Sequence, residues 1–445
     1  MSYHIVCQAD PSDQFAPRVR DTDTVYTVCI DKPGDPNRVR QSVVEQIAKR
    51  GVAPQTAASD LLRLAMTVYS ADMGIPRSTG FDSWTRDFVL HLPVTEFDRW
   101  YATIGTATDM LMFLTGDHWV ISLRQSDEDP EKNKRQTSWE GPQEVPQAVS
   151  LFSGGLDSFI GAIDRLEMGE RLALVAHYGA GTTNKAQEQS HAAIEAVYPD
   201  LTEFFSFYVQ PPPPLGGEPE KTTRSRSILF LSLAVSVASS LGDSVPLIIA
   251  ENGLISINPP LTHSRMGSFS TRTTHPYFLD LYGQLLDALG IGVSIETPYR
   301  FYTKGEMILG VLNSDAFQAG AYHTLSCSHP DVSRYWGHSP GQHCGYCVPC
   351  IIRRSAMYAA RLDDPSHYLL DVRNDPPPMD KDRGRDFRAF EMAMERLANA
   401  DHQQLLFDVL DTGPVPPADA SMYVDVYRRG MDEVRNFLRG SHVPT

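Results

Sequence analysis

The chain has 445 residues, more than one compact core usually organises, so two or three units are expected. Hydrophobic residues make up 42% and charged residues 21%, which excludes a disordered, collagen-like or coiled-coil chain and predicts a globular one. The 39 basic and 55 acidic side chains leave a net charge of −16; this argues against direct nucleic acid binding by a broad phosphate grip, so any anionic ligand must be held locally.

Residues 1–125 read as an N-terminal α/β domain, with β-prone runs at 25–30, 88–92 and 119–123 alternating with helical stretches at 56–70 and 97–114. No catalytic motif falls in it. Residues 126–147 are charged, proline-containing and without apolar period, which predicts a linker. From 148 a strand (148–152) meets a Ser-Gly-Gly turn, and Phe159, Ile160, Ile163 and Leu166 then recur at helical spacing. A strand (172–177), a helix (185–197) and a strand (204–208) continue the βαβ alternation of a parallel sheet. The segment 211–221, with four prolines in a row, reads as a surface loop, either a lid or a plain connector. A buried helix (228–241) and strand (245–250) follow. The longest apolar run, 228–238, is far short of the roughly 20 residues a membrane span needs. The opening MSYHIVCQAD has no basic and apolar signal-peptide pattern, so a cytoplasmic, membrane-free protein is expected. Residues 366–445 read as a C-terminal helical region, with helices at 387–398, 403–410 and 423–438. No internal repeat is visible.

Ser153-Gly154-Gly155-Leu156-Asp157-Ser158 sits where a predicted strand hands over to a helix. Two glycines let the backbone turn its N–H groups toward a ligand, the serines add hydroxyl donors, and the helix start adds partial positive charge. These are the parts of a pyrophosphate cradle. Asp157 suits either a divalent cation on the phosphates or simple capping of the turn. Neither a Walker-type loop nor a dinucleotide-binding glycine motif after a strand occurs. Gly337-His-Ser339-Pro-Gly341 has the spacing of a hydrolase nucleophile elbow, but polar residues precede it where a strand is needed, so it reads as a turn. Cys327, Cys344, Cys347 and Cys350 supply four thiolates at metal-ligand spacing. A closed four-thiolate Zn²⁺ site leaves no open position and is structural; an iron–sulfur cluster is the alternative. His329, His338 and His343 read as loop residues beside it.

With these residues in view, the chain resembles the PP-loop ATP pyrophosphatases. SGGLDS together with the late cysteine cluster resembles the QueC-like family, the 7-cyano-7-deazaguanine synthases. His177-Tyr178-Gly179 with Glu188, Arg226 with Phe230-Leu231-Ser232, Pro298 with Thr303-Lys304 and Glu306, Ser326-Cys327, and His343-Cys344-Gly345 with Arg353 match further family segments. The resemblance covers residues 148–362 and implies a domain at 148–365. That domain is an α/β PP-loop core, Rossmann-like with a parallel sheet, carrying a zinc module at 327–350. It implies that Phe152, Ser153, Gly154, Gly155, Leu156, Asp157, Ser158, His177 and Tyr178 bind ATP, with Mg²⁺ on its phosphates. It implies catalytic roles for Asp157, Ser158, Arg226 and Lys304, although Lys304 also reads as a surface cation. Arg226, Glu251, Asn252, Gly253 and Lys304 are the implied substrate contacts.

Two departures stand out. Glu251-Asn252-Gly253 and the residues after it replace the family's Tyr-Pro-Asp stretch, and Arg226-Ser227 replaces Arg-Asn. The extra length on both sides resembles the longer QueC-like proteins of bacterial anti-phage systems, the QatC group of the Qat system. That likeness implies adenylation of 7-carboxy-7-deazaguanine and transfer to ammonia or to the amine of a partner protein of a defence operon. The competing readings are a true 7-cyano-7-deazaguanine synthase, a PP-loop enzyme that modifies tRNA, which the charge of −16 disfavours, and a non-catalytic nucleotide-binding scaffold.

Overall fold

In chain order the secondary structure opens with β1 (Tyr3–Gln8), β2 (Thr24–Cys29), the two-residue β3 (Arg40–Gln41) and α1 (Val43–Ala48). Next come α2 (Thr56–Gly74), β4 (Asp87–Val94), α3 (Phe97–Thr115) and β5 (His118–Gln125). A βαβ run follows: β6 (Ala148–Leu151), α4 (Leu156–Glu167), β7 (Leu172–His177), α5 (Gly181–Val197), β8 (Thr202–Phe207) and the short β9 (Val209–Gln210). Then come α6 (Arg226–Leu241), β10 (Leu247–Ile248), α7 (Gly253–Ile257), α8 (Pro276–Ala288) and β11 (Ile295–Glu296). The remainder is helical: α9 (Lys304–Gly310), α10 (Asp315–Gly320), α11 (Val348–Ala359), α12 (Arg385–Leu397), α13 (His402–Leu410) and α14 (Ala420–Arg439). This is a computed structural model, and it describes residues 2–440 except 11, 31–32, 127–138, 142–143, 180, 222–223, 263–271 and 339. Most of the expected linker and Ser339 of the elbow-like motif therefore lie outside the described residues. Among the described residues, no helix is long and apolar enough to cross a membrane.

The chain forms an α/β structure with parallel sheets and fourteen α-helices among the described residues. It divides into two compact units assembled from separate stretches: residues 1–151, 205–247 and 278–295 in the first, and 152–204, 248–277 and 296–445 in the second.

In the first unit, β2-β1-β4-β5 make an all-parallel four-stranded sheet. Parallel sheets are covered by helices, and α2 shows why this one is: it packs on β1, β2 and β4 and also on α6, so apolar residues are buried nearly all round it. Its buried polar residues are paired. Asp72 on α2 and Asp117 both accept from Arg86, each at 2.6 Å, and Arg77 and Ser225 complete the network. Because each buried charge has a partner, losing one member would strand the rest. The proline-rich segment fits the connector reading. Tyr26 donates to the Pro213 carbonyl at 3.3 Å, and the N–H groups of Leu215 and Glu220 bond to Gly74 and Met73, so it is a connector strapped to its own unit.

The second sheet has the order β11-β10-β6-β7-β8. Leu247 and Ile249 donate to Ser294 and Glu296, equal steps in one direction that mark parallel pairing. β6 is central: its successor β7 lies on one side and β10 on the other. That reversal of strand order is a topological switch point, where open α/β sheets bind ligands beyond the carboxyl ends of the strands.

In the second unit, α7, α11, α12, α13 and α14 bury one apolar cluster that includes Ile351, Phe390, Met394, Tyr427 and Met431. The C-terminal helices therefore have a core in common with α7 and α11.

Candidate functional site

The turn after β6 is built as its sequence suggests. Gly154 takes φ +79°, and a Cβ there would lie 2.9 Å from Cγ of Gln187, so both backbone conformation and space call for glycine. Gly155 caps α4. Gly155 N–H donates to the Ser153 hydroxyl at 3.2 Å, and Leu156 N–H to the Ser326 hydroxyl at 3.4 Å. The Ser153 and Ser158 hydroxyls are 3.1 Å apart. A helix start whose N–H groups meet only serine hydroxyls can exchange them for anion oxygens. Ser153 is exposed, whereas Phe152, Leu156, Asp157 and Ser158 are buried.

Asp157 joins the two loops at the switch point. Its Oδ2 accepts from Asn252 Nδ2 at 2.7 Å, and its Oδ1 takes a direct bond from Lys304 Nζ. Asp157, Asn252 and Lys304 are each at most 7% exposed, so Lys304 is a buried, paired cation and not a surface one. Burial pushes the Asp157 carboxyl up, but the Lys304 charge and bonds from Glu251, Lys304 and Asn252 outweigh it and hold the carboxyl below the usual range. Glu251 goes the opposite way. Burial first, then the Asp157 charge, holds it well above the ordinary carboxyl range. The glycine turn and the Lys304 ammonium suit a phosphate chain, and Asp157 is the carboxylate available to a divalent cation on it.

The loop is braced from two sides. Gln187 on α5 is buried, and its amide nitrogen reaches the carbonyls of Ser153 at 3.3 Å and His177 at 3.4 Å. Glu188, part of a segment that resembles the family, is exposed, and its neighbour Gln187 faces the loop. The inward face of α5, carrying Thr182, Ala186, Ser190 and Ile194, was the available signal for Gln187. On the other side, Leu325 N–H donates to the Gly154 carbonyl at 2.7 Å, and Ser326 N–H to His343 Nε2 at 3.1 Å. Burial holds the His343 imidazole down to about 3, so it is neutral and able to accept.

His343 leads into the cysteines. The four Sγ atoms of Cys327, Cys344, Cys347 and Cys350 all lie within 4.8 Å of one another, with Cys327 to Cys347 at 4.0 Å and Cys344 to Cys350 at 3.8 Å. Tetrahedral thiolates around one ion with bonds of about 2.3 Å stand about 3.8 Å apart, so the cluster fits a single tetrahedral metal such as zinc. The backbone N–H groups of Cys344 and Cys347 donate to the sulfurs of Cys327 and Cys344 at 3.4 Å each.

The chain is similar to 7-cyano-7-deazaguanine synthases. The protein of that name from Syntrophobacter fumaroxidans is 26% identical over 258 residues, covering 52% of this chain and 100% of the relative. Those from Cupriavidus taiwanensis and Polynucleobacter asymbioticus are each 27% identical, over half of this chain and 97% and 91% of their own lengths. No family model and no solved structure matches the chain. Beside these synthases, roughly half of the chain is additional.

His177, buried, ends β7, and Tyr178 after it is 45% exposed. Gly253 opens α7, its N–H bonded to the Tyr302 carbonyl at 2.9 Å. Arg226 opens α6 in the first unit, where its charge acts on Tyr69. The residues before Ser339 form a 3₁₀ turn, Val332–Trp336, and not the strand a nucleophile elbow requires.

Proposed function

We propose that the chain is an ATP-dependent QueC-like ligase that adenylates a 7-deazaguanine carboxylate, 7-carboxy-7-deazaguanine, and transfers it to an amine. The observation that carries this reading is the SGGLDS turn at the switch point, with Asp157 bonded to Asn252 and Lys304. Ser153, Gly154, Gly155 and Ser158 hold the pyrophosphate end of ATP, and Phe152, Leu156, His177 and Tyr178 line the rest of the nucleotide site. Asp157 would hold Mg²⁺, which would neutralise phosphate charge. Lys304 balances charge on the phosphates or the carboxylate, and Glu251, Asn252 and Gly253 border the substrate. The cysteine cluster would hold structural Zn²⁺ and braces the turn through Ser326 and His343.

In the reaction, a carboxylate oxygen attacks the α-phosphorus in line, the bond to the β-phosphate oxygen breaks, and pyrophosphate leaves. The amine nitrogen then attacks the acyl carbon, AMP leaves with the carboxylate oxygen, and the nitrogen loses a proton. The amine is ammonia or an amine of a partner protein. The second alternative, in anti-phage defence, is favoured by the half of the chain absent from the synthases. The first leads on to nitrile synthesis as in the relatives. We place the working domain at 148–365, flanked by 1–125 and 366–445 and joined through 126–147, in the cytoplasm. Intact-mass spectrometry of operon-encoded proteins after incubation with the chain, ATP and the carboxylate separates the two: a deazaguanine-sized addition marks conjugation, free amide or nitrile marks synthesis.

A further inference from the structure

We infer that Glu433 and Arg429 of the C-terminal helix α14 are positioning residues that hold Lys304 against Asp157. The catalytic meaning of this rests on the ligase reading; the geometry does not.

Lys304 is the first residue of α9, and its position depends on the turn before it. Thr303 caps that helix in a reciprocal box with Glu306: Glu306 N–H donates to the Thr303 hydroxyl at 3.1 Å, and Thr303 N–H to Glu306 Oε2 at 2.8 Å. α14 grips the same turn with two side chains one helical turn apart, on one face. Arg429 donates to Glu306 Oε1 at 2.8 Å and to the Phe301 carbonyl at 2.7 Å. Glu433 accepts directly from the Thr303 hydroxyl and from Gly305 N–H at 3.3 Å. Glu433 thus binds the residue on either side of Lys304, leaving the lysine side chain to reach Asp157. The contact is close enough that a Cβ on Gly305 would lie 2.4 Å from Glu433 Oε1.

Glu433 is half-buried, and the hydration its carboxyl group loses is replaced by its bonds to Thr303 and Gly305. A helix that served only to cover apolar surface would not need one. α14 also lies outside 148–362, where the motifs shared with the synthases fall.

The test uses the full chain with Glu433→Ala and Glu433→Gln. Gln keeps an oxygen that accepts from Thr303; Ala keeps nothing. Hydrogen exchange followed by mass spectrometry reads the geometry without any activity. Glu433→Ala is expected to speed exchange about tenfold at both 301–310 and 152–158, with Glu433→Gln close to wild type. Unchanged exchange at 152–158 in Glu433→Ala overturns the inference. In the AMP-forming assay, Glu433→Ala should lower kcat about tenfold with KM for ATP within about twofold, and Gln should recover most of it. Equal losses in both variants, tracking a lowered thermal midpoint, would show a role in stability alone and overturn it too. If Glu433→Ala does not fold, Glu433→Asp, one methylene too short, replaces it. A wild-type chain that forms no AMP contradicts the ligase reading and leaves the exchange result standing.

Discussion

At the scale of single residues, the site depends on a few positions with little tolerance. Gly154 has a left-handed backbone and Gln187 against it, so Gly154→Ala should cost about 1–2 kcal/mol from conformation alone and lower the thermal midpoint, measurable by calorimetry. Asp157→Asn keeps the shape but removes the charge that pairs with Lys304; activity is expected to fall at least about a hundredfold in the AMP-forming assay, with the fold retained by circular dichroism. His275 gives a pH prediction. Its Nε2 is 2.9 Å from the Thr412 hydroxyl, Tyr277 N–H donates to its Nδ1, and burial lowers it to about 3. A base depressed in the fold contributes stability above its unfolded value that is lost as pH falls through the window from about 6.5 toward 3, near 2 kcal/mol by pH 5. His275→Gln should flatten the fall in thermal midpoint between pH 7 and pH 5.

At the scale of elements, the turn after β6 and the cysteine module act as one assembly through Leu325, Ser326 and His343. Cys347→Ser is therefore expected to lose about one equivalent of zinc by elemental analysis and also to raise hydrogen exchange at 152–158. Local chemistry made both parts legible in the sequence. A glycine turn between strand and helix, and four thiols at ligand spacing, each declare themselves within a few residues. The links between them did not: Leu325 to Gly154 and Lys304 to Asp157 join residues far apart in sequence, and only the fold brings them together. Likewise the long periodic helices α2, α3, α6 and α14 could be read in advance, whereas α7, α9 and α10 are too short to show a period. Expecting a strand over 245–250 overstated β10, which spans Leu247–Ile248 with ladder bonds at Pro246 and Ile249 beside it.

At the scale of the whole molecule, the synthases match about half of this chain, the first unit has a parallel sheet of its own, and the C-terminal helices belong to the second unit. Glu433 had no signal in the sequence, since an acidic residue on an amphipathic helix looks solvated until its partner is seen. The net charge of −16 predicts that tRNA binding, measured by fluorescence anisotropy, is weak and does not strengthen into the nanomolar range at low salt. The central claim is adenylation, and oxygen transfer tests it most directly. Purified chain, ATP and 7-carboxy-7-deazaguanine labelled with oxygen-18 in its carboxyl group are incubated with an amine, and the nucleotide product is analysed by mass spectrometry. Adenylation predicts AMP carrying one labelled oxygen together with pyrophosphate, formed only when the carboxylate is present; unlabelled AMP, ADP, or no nucleotide product would contradict it.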